Sequence, residues 1–443
     1  MLRPLPCLLA ALALAGAAFG QKPTREQKVR ADKAKVEAEG FWIYNDLPKA
    51  FGTAKESGKP ILVVLRCLPC EECVKLDDDL VNDDPRIRPL LEKFVCVRVV
   101  GTNGLDLSLF QFDYDQSFAA FLLNADGAIY GRFGTRSHRT EWLGDVSVGG
   151  LAKALSGALE LHAAYPGNQA TLAGKRGPAP AFDRPEKFPS LAGKYGPTLD
   201  YQGNVVKSCI HCHQIGDAIK ERYRAAGEPM PDEVLFPYPH PKSIGLVLDP
   251  EERAKVKSVT EGSPAAKAGV AAGDEIATLG GQPLLSIADV QWVLHLTPGS
   301  GGEVIIEVKR DGKVAARSMS LPAGWRRNDE INWRSSSWGL RRMASGGLLL
   351  ETASAAERAR AGVKEGEMAL RVKHVGEYGA HAAAKNAGFK AGDLVVGFDG
   401  RSDFLRETDL LAHGVTTKKP GEKVDVTVFR AGKHLSLTLP MQP

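Results

Sequence analysis

The chain has 443 residues, 43% hydrophobic and 25% charged, with a formal net charge of +4. That length predicts two to four domains with several cores, and no Lys/Arg block is dense enough to suggest a nucleic-acid surface. Six of the seven cysteines lie beyond residue 20, and five of those six form two tight groups. Such grouping points to redox, metal or cofactor chemistry rather than a spread disulfide framework.

Residues 1–20, "MLRPLPCLLAALALAGAAFG", carry Arg3, an apolar run and small residues. This is the pattern of a secretory signal peptide cleaved after Gly20, which predicts a periplasmic or otherwise exported protein. Cys7 would leave with it, and no later stretch is long and apolar enough to span a membrane. Residues 21–40 are polar and read as a solvated helical lead.

Residues 41–165 alternate strand and helix patterns. "PILVVL" and "FVCVRVV" read as strands, "FAAFLLNADGAIYGRFG" as a hairpin turning at Ala125-Asp126-Gly127, and "VGGLAKALSGALELHAAY" as a closing amphipathic helix. "KPILVVLRCLPCEECVKLDDDLV" resembles the thioredoxin-like fold, in which a strand runs into a CxxC that opens a helix. The resemblance implies Cys70 and Cys73 as a catalytic pair for thiol-disulfide exchange, with helix N–H groups favouring a thiolate. Cys67 is extra, and Glu71 and Glu72 put negative charge between the sulfurs. The family's cis-proline position falls near "DQSFAAF", and no proline occurs between Pro89 and Pro166. A structural disulfide or a thiol metal site among Cys67, Cys70 and Cys73 is the alternative. Cys96 reads as a buried core thiol.

Residues 166–200 are rich in Pro and Gly and read as a semi-extended linker. Residues 201–242 hold "SCIHCHQIG". C-x-x-C-H is the attachment pattern of haem c: Cys209 and Cys212 form thioethers and His213 ligates the iron. A helix follows, with Ile215, Ala218, Ile219, Tyr223 and Ala226 on one stripe and a stop at Gly227 and Pro229, and this resembles the start of small cytochromes c. Met230 is the candidate sixth ligand and His240 the alternative. Zinc on these residues, or a redox disulfide, competes with haem. So short a segment cannot bury a haem alone, so a neighbouring domain would have to cover it.

The remainder repeats. "GVAAGDEIATLGG" (269–281) matches "GFKAGDLVVGFDG" (388–400) at an offset of 119, and "VIIEVKRDGK" matches "VDVTVFRAGK" at 120. Each unit is read as opening on a hydrophobic-Gly-Leu triplet, Ile244-Gly245-Leu246 and Trp338-Gly339-Leu340, giving units 243–322 and 336–441 joined by 323–335. "SIGLVLD", "SPAAKAGVAAGDEIATLGGQPL" and "SIADVQWVLHL" resemble the PDZ domains of the bacterial high-temperature-requirement proteases. The resemblance implies capture of protein or peptide C-termini by the first unit at Ile244, Gly245 and Leu246, with Val290 and Val293 facing the groove. In the second unit Arg341 and Arg342 follow the glycine. No Gly-x-Ser-Gly-Gly nucleophile loop is present, so serine proteolysis is not expected.

The fold class expected is thus multidomain α/β and α+β: a thioredoxin-like domain, a short helical cytochrome c-like segment and two PDZ-like β-barrel or sandwich domains. The function expected is an exported redox or electron-transfer protein carrying haem c and docking a redox partner. The alternative is a non-catalytic adaptor with a degenerate thioredoxin-like domain.

Overall fold

The computed structural model describes residues 22–66, 84–135 and 145–443. The expected signal peptide and the catalytic candidates Cys70 and Cys73, with Cys67, lie outside the described residues. Among the described residues, no helix is long and apolar enough to cross a membrane.

Apolar runs, broken only by Arg98, build the core of the first sheet. Ile61–Leu65 (β2), Val95–Val99 (β3) and Phe118–Leu123 (β4) are buried along their whole length, as strands covered on both faces must be. With Ile43–Tyr44 (β1) and Ile129–Thr135 (β5), the order is β1-β3-β2-β4-β5. β1, β3 and β2 are parallel, and β4 and β5 run antiparallel. The β4–β5 turn is tied by Asn124, whose Oδ1 accepts from the N–H groups of Asp126 (3.0 Å) and Ala128 (2.9 Å).

Helix α1 (Arg25–Glu39) starts on a Thr24/Gln27 capping box and buries only Val29 and Val36. Helix α2 (Leu47–Ser57) sets Ala50 and Ala54 on the face formed by Ile61, Val63 and Val97. Helix α3 (Val148–Ala164) lays Leu151, Ala154, Leu155 and Ala158 on the opposite face, against Leu62, Val64 and Phe118. The α2 face also receives Ile210, Ile215 and Ala218 from the segment around helix α4 (Cys212–Ala226). The "SCIHCHQIG" helix is therefore a layer on the first sheet.

The stretch 166–200, expected as a semi-extended linker, is folded against its neighbours. Leu172 joins one core, Phe188 and Leu191 join the other, and Lys175 is fully buried. Its prolines and glycines set the turns while widely spaced apolar residues anchor it. Residues 323–335 are likewise buried at Trp325, Arg326, Ile331 and Arg334.

The first C-terminal unit comprises β6 (Leu246–Leu248), β7 (Val256–Val259), β8 (Glu275–Leu279), β9 (Gln282–Pro283), α5 (Ile287–Leu296), β10 (Gly302–Arg310) and β11 (Lys313–Leu321). β6 pairs with β7, while a second sheet runs β11-β10-β8-β9. The second unit comprises α6 (Ser337–Ser345), β12 (Leu348–Thr352), β13 (Leu370–Val375), β14 (Leu394–Phe398), α7 (Glu407–Thr417), β15 (Lys423–Arg430) and β16 (Lys433–Pro440), with sheet order β12-β13-β14-β15-β16.

The repeated Ala-Gly-Asp has one physical role in both units. Asp274 pairs with Arg310 (2.6 Å) and Asp393 with Arg430 (2.5 Å). Each arginine also donates to a glycine carbonyl, Gly269 (3.0 Å) or Gly388 (2.8 Å). The motif is a clamp between a turn and the end of a strand.

One alignment within the repeat is corrected. Trp338-Gly339-Leu340 lies inside α6 and opens no strand. Leu340, Arg341, Arg342, Met343 and Ala344 are good helix formers, and Gly346 caps the helix in the left-handed conformation. The counterpart of Gly245 (φ 83°) is Gly347 (φ 92°), immediately before β12.

Two buried charge clusters fasten the units together. In the first, Asp289 of α5 pairs with Lys175 (3.0 Å) and accepts from the N–H groups of Arg132 (3.1 Å) and Leu285 (2.9 Å). In the second, Arg334 pairs with Asp113 (2.5 Å) and Asp115 (3.4 Å) and donates to the Pro237 carbonyl (2.6 Å). Ser336 donates its N–H (2.8 Å) and its hydroxyl (2.7 Å) to Asp115, and Lys220 of α4 donates to the Ser336 hydroxyl (2.5 Å).

Removing one partner of a buried ion pair strands the other charge. Asp289→Ala should therefore destabilise the chain by roughly 3–5 kcal/mol, read from the urea midpoint, and Lys175→Met in the same background should recover part of the loss.

Candidate functional site

The C-x-x-C-H residues sit where α4 meets the end of β3. Cys209 is buried, its Sγ lying 3.8 Å from the Val100 carbonyl oxygen. It packs so closely on Gly101 that a β-carbon there would lie 2.8 Å from the sulfur. Burial pushes the Cys209 thiol up to about 12, so it is a poor thiolate. Cys212 starts α4 and is half-buried against the α2-side core. His213 is half-buried, its ring parallel to that of His211 at 5.7 Å. Burial holds both imidazoles below their ordinary range, His211 at about 4.

Met230, the sixth-ligand candidate, lies in a different cluster with Leu235, Phe236, Leu340 and Met343. It joins the Tyr223 end of α4, whereas His213 is at the other end. The alternative, His240, is buried with its Nε2 3.0 Å from Asp145 Oδ1. None of the main clefts among the described residues is lined by Cys209, Cys212 or His213. The residues present do not fit a covalently held haem, because one sulfur faces a closed layer. Among the described residues no group of three His, Cys, Asp or Glu could hold a metal ion.

The peptide-capture residues are better assembled. Gly245 takes a left-handed turn (φ 83°) that leads into β6. The Thr260 N–H donates to the Gly245 carbonyl at 2.9 Å, and Leu246 pairs next with Val259. By antiparallel alternation the N–H and C=O of Leu246 then face away from β7. Ile244, Leu246, Val290 and Val293 are all brought together in one core and are at most 5% exposed. Val290 and Val293 therefore pack as floor rather than lining an open groove. The preceding segment crosses α5: the Tyr238 N–H donates to His295 Nδ1 (3.4 Å), and Gln291 donates to the Tyr238 carbonyl (3.3 Å).

In the second unit the corresponding edge is already bonded. Glu407 of α7 accepts from the Leu350 N–H (2.8 Å) and from Arg341 of α6 (2.9 and 2.7 Å). Ala344 of α6 sits so close to Gly414 of α7 that a β-carbon there would lie 2.7 Å away. Helix α6 thus takes the place beside β12 and α7, and Arg341 is the residue that fixes it.

Residues 42–125 match the thioredoxin-like family and residues 242–321 the PDZ family. Residues 242–321 are a PDZ domain. Residues 42–125 are a thioredoxin-like domain. No curated protein matches the chain. Among solved structures, the HtrA-type protease AlgW with a decapeptide is 13% identical, the match covering 32% of this chain and 48% of that one at a TM-score of 0.20. AlgW with a tripeptide is 17% identical, over 30% of this chain and 42% of that one at 0.19. The chain therefore spans under half the length of these structures.

Sequence reasoning missed Asp113, Asp115, Lys220 and Arg334. Each sits in an ordinary local pattern, and only the fold brings them together. It also missed His295, which burial and three arginines (Arg326, Arg132 and Arg334) hold neutral, down to about 3.

Two outcomes follow. Protein made in a host that matures c-type cytochromes should show no sharp reduced α-band, and a band surviving acid–acetone extraction would overturn the misfit. Because His295 stays neutral when folded but ionises near 6.5 when unfolded, the unfolded chain binds more protons between those values. Stability should fall as pH drops from 6.5 towards 3. His295→Gln should flatten that slope in urea midpoints measured at several pH values.

Proposed function

We propose that this is an exported protein-binding adaptor. Its PDZ domain takes the C-terminal end of a partner as an added strand on the free edge of β6, while the thioredoxin-like domain serves as the rigid body to which it is fastened. The observation that carries this reading is that, among the described residues, β6 has a strand partner on one side only. The left-handed Gly245 leads into this edge; its own N–H donates to the Lys242 carbonyl (3.0 Å), and it is the Leu246 N–H, facing away from β7, that would meet a terminal carboxylate. The close packing of Ile244, Leu246, Val290 and Val293 favours a small apolar last residue over an aromatic one. The second unit, which resembles the PDZ domain in its repeat and its clamp, takes no strand, because Glu407 already occupies the Leu350 N–H.

Electron transfer through a haem has no support in the arrangement of Cys209, and Cys70 and Cys73 lie outside the described residues.

The test uses the full chain and a short extended peptide ending in Val, with its carboxylate free or amidated, in fluorescence polarisation. The free-carboxylate peptide should bind at least about tenfold more tightly, since charge-assisted hydrogen bonds are roughly twice as strong as neutral ones. Equal binding of the two forms, or no binding of either, would remove peptide-end capture.

A further inference from the structure

The β6 segment is fastened at both ends to one short stretch, residues 145–147, which leads into α3. Before β6, His240 is buried and its Nε2 lies 3.0 Å from Asp145 Oδ1. After β6, the Ser147 hydroxyl donates to the Pro250 carbonyl at 2.9 Å. The fit there is close: a β-carbon on Gly150 would run into the Pro250 carbonyl oxygen. Since α3 packs on the first sheet, β6 takes its position from that body.

Hydrogen bonding fixes the state of His240. The Lys242 N–H donates to its Nδ1 at 3.2 Å. A backbone N–H can only donate, so Nδ1 is the acceptor and carries no proton. Nε2 then carries the proton and donates to Asp145, and the ring is a neutral imidazole with both nitrogens engaged. The backbone N–H of His240 donates to Asp329 Oδ2 at 3.3 Å, a tie to the stretch 323–335.

From His240 a chain of bonds runs to the strand edge. His240 caps the single helical turn Pro241–Ile244, and its carbonyl accepts from the Ser243 N–H at 2.8 Å. The Lys242 carbonyl accepts from the Gly245 N–H at 3.0 Å, which holds Gly245 in its left-handed conformation. Gly245 in turn sets the direction of the Leu246 N–H, the group that faces away from β7. A side chain without an acceptor at the Nδ1 position would leave the Lys242 N–H unsatisfied and loosen the turn.

We propose that His240, oriented by Asp145, is the positioning residue of the β6 edge, so that the body carrying the first sheet sets how well the PDZ domain receives a terminal carboxylate; this rests on the peptide-capture reading above. What the turn needs is an acceptor at the Nδ1 position. Asparagine supplies one at the same reach from the backbone, whereas leucine fills the space without one.

The test uses the full chain, the Val-ended peptide with its carboxylate free or amidated, and amide hydrogen exchange over 241–248 without peptide. His240→Leu should weaken binding of the free-carboxylate peptide about tenfold and leave the amidated one within roughly twofold. His240→Asn, a good capping residue, should restore most of the loss. Asp145→Asn, which still accepts from Nε2, should bind like the unaltered chain, while Asp145→Ala should follow His240→Leu. Exchange over 241–248 should speed up in His240→Leu and return to normal in His240→Asn. A folded His240→Leu or Asp145→Ala that binds the free-carboxylate peptide as tightly as the unaltered chain would overturn the proposal. So would an equal loss for both peptide forms, the mark of a merely structural role. Unchanged exchange over 241–248 in a folded His240→Leu removes the positioning role alone, whereas no binding by the unaltered chain removes peptide capture and the positioning role with it.

Discussion

The pairing of Arg334 with Asp113 and Asp115 is the interaction on which the assembly rests. A fully buried guanidinium is tolerable only when its charge is matched and its donors are engaged. Here the match comes from a loop of the thioredoxin-like domain, while Arg334 itself belongs to the stretch between the two C-terminal units. Ser336 and Lys220 complete the cluster, so three distant parts of the chain share one set of charges. Asp289 with Lys175 repeats the principle between the PDZ helix and the stretch 166–200. Neither cluster can open without leaving a charge uncompensated, so the connecting segments behave as structure rather than as tethers.

That constraint governs the functional residues. The loop carrying Asp113 and Asp115 runs into "DQSFAAF", where the thioredoxin-like family keeps the proline that faces its CxxC. Here those residues hold the chain's own Arg334 and Ser336. Helix α4 serves the same end. Ile215, Ala218 and Ile219 of its stripe cover the first sheet, while Tyr223 packs beside Met230; Lys220 reaches the charge cluster, and Arg224 at its far end donates to the carbonyls of Gln442 and Lys418. Cys209, three residues before this helix, becomes packing, its sulfur facing the Val100 carbonyl. The Arg341–Glu407 pair extends the pattern into the second unit, spending an edge hydrogen bond on internal closure.

Parts of this were legible in the residues alone. The Ala-Gly-Asp repeat was visible because a clamp needs an acid, a turn glycine and a distant arginine at fixed spacing, as Asp274 and Arg310 show. The strands β2, β3 and β4 and the helix after Cys212 declared themselves by apolar runs and a stripe. The second unit's opening was misplaced because Trp338-Gly339-Leu340 imitates the triplet, whereas the φ of Gly347 identifies the true one. The charge clusters were invisible for a different reason. Asp113 and Arg334 are 221 residues apart, and a lysine such as Lys220 on an amphipathic helix reads as solvated until another segment covers it. The C-x-x-C-H pattern was legible as letters, but what surrounds the first sulfur comes from β3 and Gly101, more than a hundred residues earlier.

The central claim is that buried charge pairs make one cooperative body of the thioredoxin-like domain, α4 and the two C-terminal units. Differential scanning calorimetry tests it most directly. The unaltered chain should unfold in a single transition with equal calorimetric and van't Hoff enthalpies, and Arg334→Met should split that transition in two. Two separate transitions in the unaltered chain, or an Arg334→Met variant that still unfolds as one body at the same temperature, would contradict the account.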